Sequence, residues 1–334
     1  MPETPDSPLG RPALRRFEFW AVGGMVGFAA ALALLSFWAG ASTVLEPIAR
    51  LSWRLVLLLL GLSLVNYALR AWRWQHFSTG LGIAVPWRRS VLYFFTGFAV
   101  TTTPGKTGEA LRLWFLQRCH GYAYERTAPL FIGDRFSDMA AITVFCLAGL
   151  GAFPGYEAAA LGIAFVLLLL TSPFLHPPLL AIARRLLRRA VGARFPDLHR
   201  RVDVAIGDTA KLFTLRLFGF GLVLALAGWS AEIYELHLLL DAMGLSVSLQ
   251  QTSFIFTFAM TAGTLAMLPG GLGGTEAVMI ALLSAIHVDF GTAVAATAVI
   301  RVTTLWFATL LGFAALPFAL RAARRPQTLA GAAP

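Results

Sequence analysis

Two arginines and two glutamates stand at matched distances in this chain, each pair following a proline–glycine element. The first element is Pro104-Gly105-Lys106-Thr107-Gly108-Glu109-Ala110, and the second is Pro269-Gly270-Gly271-Leu272-Gly273-Gly274-Thr275-Glu276-Ala277. Glu109 precedes Arg135 by 26 residues, and Glu276 precedes Arg301 by 25. An arginine fork matches phosphate or carboxylate oxygens two at a time. Free N–H groups at the start of a helix bind anions, and glycine lets a ligand come close to backbone. The glutamate can pair with an arginine, touch a cationic headgroup or carry a proton. Together these residues spell an anion site, written twice.

The surroundings are apolar. Of 334 residues, 57% are hydrophobic and 13% charged, against about 25% charged in a soluble domain. Apolar stretches near 20 residues recur throughout, which predicts an all-α polytopic membrane protein. The alternating pattern of a β-barrel is absent. The net charge of +10 is gathered between apolar stretches. It reads as cytoplasmic-side topology and contact with anionic headgroups, not nucleic-acid binding. Cys119 and Cys146 offer neither a disulfide framework nor a metal set, and no metal or cofactor is expected. Gly105-Lys106-Thr107 lacks the upstream glycine of a phosphate-binding P-loop, since residue 100 is Val.

The spacing of apolar runs predicts a tail at 1–16, a first membrane repeat at 17–175, a basic linker at 176–211, a second repeat at 212–320 and a tail at 321–334. Six runs are long enough to cross: about Phe17–Gly40, Leu51–Trp74, Pro129–Phe153, Glu157–Phe174, Leu212–Leu240 and Thr292–Leu320. The runs beside the two elements are shorter. Ser90–Thr103 would rise only about 21 Å as a helix, against a hydrocarbon core of about 30 Å. Segments 90–116 and 252–286 are therefore expected to be re-entrant hairpins turning at Pro104 and Pro269. Arg70, Arg73, Trp72 and Trp74 read as an interface cluster, and Arg88, Arg89, Arg112, Arg118 and Arg126 as cytoplasmic flanks. Between Leu238 and Ile300 there is no Lys or Arg. With both termini cytoplasmic the positive-inside rule holds throughout, and the two hairpins enter from opposite sides. Arg70 lies 34 residues before Pro104, and Glu235 lies 34 before Pro269. This is the layout of an inverted repeat whose broken helices meet near the midplane.

Eight ionisable residues fall at depth: Glu109, Asp134, Arg135, Asp138, Glu232, Glu235, Glu276 and Arg301. Each costs about 2.5–3.5 kcal/mol at the centre of a membrane helix, so they must pair or face a wet cavity. Asp134, Arg135 and Asp138 share a helical face. They could neutralise one another, or the aspartates could hold Arg135 toward a phosphate or handle a proton. Arg301 has no acid within four residues and needs a partner from another element or from a ligand. Glu109 and Glu276 could be helix-start countercharges beside Thr107 and Thr275 as capping hydroxyls, or ligand groups. Glu232, Glu235 and Arg70 are candidates for ion or proton coupling. In 176–211, Leu179, Ile182, Leu186 and Leu187 recur beside Arg184, Arg185, Arg188 and Arg189, which reads as an amphipathic helix whose stretch 184–201 meets an anionic leaflet. A solvated basic loop would have the same composition.

Pro-Gly-x-x-Gly-Glu-Ala with Gly133-Asp134-Arg135, followed by Leu268-Pro-Gly-Gly-Leu-Gly-Gly-Thr-Glu-Ala and Arg301, resembles the lysylphosphatidylglycerol synthase transmembrane, or flippase-like, family over about residues 15–320. The resemblance implies a membrane domain that binds or moves lipid and is not itself an enzyme. By motif position it implies Pro104, Gly105, Glu109, Arg135, Pro269, Gly270, Gly271, Glu276 and Arg301 as the site, with Lys106 beside them. Two-domain synthases of that family carry an aminoacyl-transfer domain after the membrane part. Here Pro334 lies fourteen residues past Leu320, so a stand-alone membrane domain is expected, in a bacterial inner membrane. The expected function is flippase-like handling of an anionic phospholipid or other anionic lipid between the repeats, by rocking of the repeats. The alternatives are a non-catalytic lipid-binding partner of a lipid-modifying enzyme, and an ion-coupled transporter of a small anion.

Overall fold

The computed structural model describes residues 40–101, 110–189, 195–266 and 269–324, with five isolated positions between 23 and 34. The expected first span, the tip of the first proline–glycine element (Pro104, Gly105, Lys106 and Glu109 with it) and both tails lie outside the described residues. The chain is an all-α polytopic membrane protein.

In order, the helices are α1 (Ala41–Ala49), α2 (Trp53–Gly80), α3 (Trp87–Thr96, continued as a 3-10 turn over Gly97–Val100), α4 (Leu111–His120), α5 (Tyr124–Gly149), α6 (Glu157–Leu175), α7 (Pro177–Leu187), α8 (Pro196–Leu212), α9 (Leu217–Ala242), α10 (Leu249–Leu265), α11 (Gly274–Ala285) and α12 (Phe290–Ala323). The starts have local causes. Ser52 accepts a hydrogen bond from Leu55 N at 3.2 Å to cap α2. At α10, Ser248 and Gln251 satisfy each other's backbone N–H groups. Gly121, at φ +75°, ends α4 in the left-handed region.

Among the described residues, four helices are long and apolar enough to cross a bilayer: α2, α6, α9 and α12. α6 shows why such a helix belongs in lipid, since Phe165 and Leu168 are 64% and 61% exposed. α5 has 26 residues, enough to cross, but its middle carries charge. The linker is more ordered than a loop. α7 and α8 are joined by Arg184 gripping Asp203 through two nitrogens at 2.6 and 2.7 Å, and α8 packs on α5. The basic segment is thus two helices, the second anchored to the membrane bundle. Asp208 of α8 is buried and takes Arg126 at 2.7 Å and Lys211 at 2.6 Å.

Two apolar cores fill the bundle. One gathers α9, α10, α11, the first half of α12 and the end of α5. The other gathers the last half of α2, α3, α4 and the last half of α12. Three helices contribute to both, and each changes from one core to the other at polar residues. On α5 these are Asp134–Asp138, between Leu130 and Ala141; on α12 they are Arg301–Thr304, between Ile300 and Ala308; on α2 they are Ser63 and Asn66, between Leu59 and Tyr67.

The short segments pack crosswise. α3 and its 3-10 turn lie against the last half of α12, where a Cβ at Gly312 would come within 2.1 Å of Ala99 N. α10 lies against α5, where a Cβ at Gly149 would come within 2.8 Å of Phe254 N. Each of these glycines allows a backbone contact that any side chain would push apart.

Candidate functional site

The second proline–glycine element is built as its glycines require. Gly270, Gly271 and Gly273 have φ of +63°, +70° and +85°, conformations that L side chains rarely adopt. They carry the chain from α10 into α11 within a few residues. Gly273 occupies the cap position, and its N–H donates to Glu276 Oε2 at 2.6 Å. Thr275, expected as a capping hydroxyl, instead lies inside α11. It is buried against Gly263, where a Cβ would come within 1.9 Å of Thr275 Oγ1. The chain needs a small residue on α10 at that point, and the hydroxyl is turned into that contact rather than toward the orphan N–H groups. Gly271 is packed into the same contact.

Arg301 receives its partner from this element. Its Nε donates to Glu276 Oε1, and its Nη2 donates to the carbonyl of Gly270 at 2.9 Å. Glu276 thus caps α11 with one oxygen and holds Arg301 with the other. Directly after Arg301, α12 widens into a π-turn over Val302–Trp306. Such turns leave a backbone carbonyl without its usual helical donor. Hydroxyls of α2 reach into it: Ser63 Oγ lies 2.8 Å from Thr303 O, and Tyr67 Oη donates to Thr304 O.

The first site is a network. Asp134 is fully buried and accepts Arg73 Nε at 2.9 Å and Arg135 Nη2 at 3.0 Å. Asp138 accepts Arg73 Nη2 at 2.8 Å, Arg70 Nη2 at 3.0 Å and Trp229 Nε1 at 3.2 Å. Arg112 comes within 3.7 Å of Asp134. Among the described residues, four arginines thus surround two aspartates. The aspartates act as countercharges that fix the guanidinium planes.

Two of these arginines correct the sequence reading. Arg112 is not a solvated cytoplasmic flank, and Arg73, with Trp74, does not sit at a membrane interface. Both arginines are completely buried. The Arg112 guanidinium lies 3.9 Å from the Phe94 ring centroid, with Trp74 and Phe98 further out, and its Nε donates to Phe94 O at 3.1 Å. Gly97 makes room, since a Cβ there would come within 2.3 Å of Arg112 Nε. Aromatic faces attract a desolvated cation. A signal for Arg73 was present in the sequence. Ser63, Asn66, Tyr67, Arg70 and Arg73 recur at three- and four-residue steps, a polar stripe on an apolar helix.

The two sites face one cavity of about 220 Å³. Arg70, Arg135 and Asp138 line it from one side, and Arg301 with Gly270 from the other, while Glu232 and Trp229 of α9 form the wall between. Glu235, one turn further along α9, lies behind that wall and is fully buried. α5 and α10 flank the cavity. They touch at one end, where Ser253 Oγ donates to Phe145 O at 3.1 Å. Toward the other end, Met139 and Ile142 face Met260 and Thr264 across the cavity, and Thr264 is exposed. Among the described residues no cluster of His, Cys, Asp and Glu has the makings of a metal site.

The chain is similar to known membrane proteins. The family model for the lysylphosphatidylglycerol synthase transmembrane region matches residues 21–312. A UPF0104 membrane protein of Pyrococcus horikoshii is 25% identical over 311 residues, covering 84% of this chain and 91% of its own. Two UPF0104 membrane proteins of Methanothermobacter thermautotrophicus are 25% and 24% identical, covering 79% and 90% of this chain and 85% and 92% of theirs.

Proposed function

This chain belongs to the lysylphosphatidylglycerol synthase transmembrane-region family, and from that premise we propose that it binds the anionic headgroup of a membrane lipid in the cavity and passes it between leaflets. One observation carries the reading: Arg135 and Arg301, from the two motif sets, line the same cavity with Arg70 and the Gly270 backbone. A volume of about 220 Å³ lies below the roughly 300–1,000 Å³ of sites that enclose a drug-sized ligand. A phosphate-bearing headgroup fits; whole acyl chains do not. They would remain in the bilayer, leaving through the gap between α5 and α10 beside exposed Thr264.

In this reading the short segments are re-entrant hairpins. α3 and α4 have 10 residues each and α11 has 12, so each rises about 15–18 Å, half of a hydrocarbon core. In this reading both termini are cytoplasmic, which the clusters of Lys and Arg support through the positive-inside rule. The headgroup phosphate would displace the carbonyl of Gly270 from Arg301 Nη2 while Glu276 keeps Nε oriented. The protein has no enzymatic role in this scheme.

The cavity size equally admits a free anion, and the experiment separates the two. Purified protein is reconstituted in liposomes carrying fluorescent phosphatidylglycerol and, separately, loaded with radiolabelled phosphate. Wild type should move the lipid probe faster than empty liposomes, and Arg301→Ala and Arg135→Ala should lower that rate at least about tenfold, the loss of one charge-assisted contact of about 1.5–3 kcal/mol. Phosphate efflux without lipid movement would transfer the reading to a small-anion carrier. No movement of either would remove it.

A further inference from the structure

The hydrogen bonds around Glu235 are most fully satisfied when it carries a proton. It projects from α9 and is fully buried. Its Oε2 lies 2.8 Å from Ser63 Oγ, and its Oε1 meets Thr303 Oγ1. Ser63 Oγ also lies 2.8 Å from Thr303 O. A serine hydroxyl has one proton to donate, and here two acceptors stand at donor distance. The arrangement closes when the carboxyl itself donates. Glu235 Oε2–H then goes to Ser63 Oγ, Ser63 O–H to Thr303 O, and Thr303 O–H to Glu235 Oε1.

The charged neighbours agree. From α2, Tyr67 and Arg70 face this region, and Arg70 is held by Asp138 of α5. From α12, Arg301 is held by Glu276. On α9 itself the nearest ionisable group is Glu232, and α10 contains no ionisable residue. Among the described residues no cation forms an ion pair with Glu235. An ionised carboxylate buried without one is strongly disfavoured. A cation the size of calcium, which needs oxygens at about 2.3–2.6 Å, has no space between oxygens already in mutual contact.

We propose that Glu235 is the proton-carrying group of this protein, exchanging its proton with the cavity by way of Glu232 and so coupling proton movement to headgroup occupancy. Three residues of geometry make the coupling. Loss of the proton leaves Ser63 with one hydrogen for two acceptors, so either Glu235 Oε2 or the Thr303 carbonyl loses the Ser63 hydrogen. That carbonyl belongs to the π-turn that begins at the residue after Arg301. The proton goes to Glu232, which lines the cavity, and from there to water. The coupling rests on the headgroup reading; the proton on Glu235 does not.

The test therefore has two arms. Infrared difference spectra of the purified protein, taken across a pH titration, should show a protonated-carboxyl stretch that disappears in Glu235→Gln, persists in Glu276→Gln and shifts in Ser63→Ala. Absence of any Glu235-dependent band between about pH 5 and pH 9, where buried carboxyls titrate, would overturn the proposal whether or not lipid moves. In proteoliposomes, the wild-type rate should change about tenfold per pH unit on its steep limb, as for one proton. Glu235→Gln should be pH-independent while binding phosphatidylglycerol within about twofold of wild type, a change of about 0.4 kcal/mol. Lipid movement in Glu235→Gln with the wild-type pH profile would sink the coupling and leave transport standing. A Glu235 band in a protein that moves no lipid would sink transport and leave the proton site.

Discussion

The two arginine sites begin from the same sequence pattern and end in opposite kinds of chemistry. Around Arg301 there is one cation and one carboxylate, with a backbone carbonyl taking a further N–H. Around Asp134 and Asp138, among the described residues, there are four cations for two carboxylates, packed with aromatic rings and an indole N–H. The pair can be opened by exchanging one ligand for another. The network cannot lose a member without stranding several charges. On the proposed function, the network is framework and field, and the pair is the contact that moves.

The sharpest way to break this comparison is to remove one carboxylate from each side. Asp134→Leu takes from the fully buried Arg73 one of its two aspartates, leaving Asp138, and losing one partner of such a group typically destabilises by about 3–5 kcal/mol. The variant should fail to give monodisperse protein, or should unfold far below wild type in a thermal scan in detergent. Next in size is the pair. Arg301→Met and Glu276→Met should each destabilise, and the double variant should regain part of the loss, because two apolar side chains replace a buried pair with little penalty. A double-mutant cycle on thermal unfolding with coupling near zero would show that the pair is not an independent unit. Gly273→Ala adds a Cβ at φ +85° and should destabilise by about 1–2 kcal/mol, while Ala at Gly61, where a Cβ meets nothing within 4 Å, should not.

The smallest effect belongs outside the membrane. Arg184 holds Asp203 below the usual carboxylate range through their hydrogen bonds. A depressed folded-state value means the stabilisation is complete above the unfolded value of about 3.9 and is lost as pH falls through the folded one. Asp203→Asn should therefore change stability by less than about 1 kcal/mol, as for other exposed pairs. That change should be constant above about pH 5, which a pH series of melting curves would check.

Much of this was legible in the residues, and what was not has identifiable causes. The membrane class, the buried aspartates and the arginines of each set follow from the expense of charge in hydrocarbon. The strained glycines follow from the crowding of Pro269 to Gly274. The partnership of Glu276 with Arg301 was open in the sequence, because an arginine without a local acid points as well to a ligand as to a distant carboxylate. Arg112 was misread for a different reason. Its charge sits between apolar neighbours just as a flanking charge would, and the ring that accepts it, Phe94, lies on another helix. Nothing local distinguishes a cation stacked on a distant ring from one in water. The π-turn was equally invisible, since its cause is the set of hydroxyls that α2 presents to it.

The crosswise packing of the short segments has a mechanical consequence. Gly312 locks the 3-10 turn that continues α3 to the last helix, and Gly149 locks α10 to α5. Each half of the chain is thus braced by a strut anchored in the other, like two interlocked frames. Swinging one half against the other as rigid bodies would shear both braces at once. Beside the cavity, Met139 of α5 faces Thr264 of α10, so access to the cavity should alternate by sliding there while the frame stays still. Spin labels on α2 and α9 should then keep a fixed separation through the cycle, while labels at residues 139 and 264 part and close.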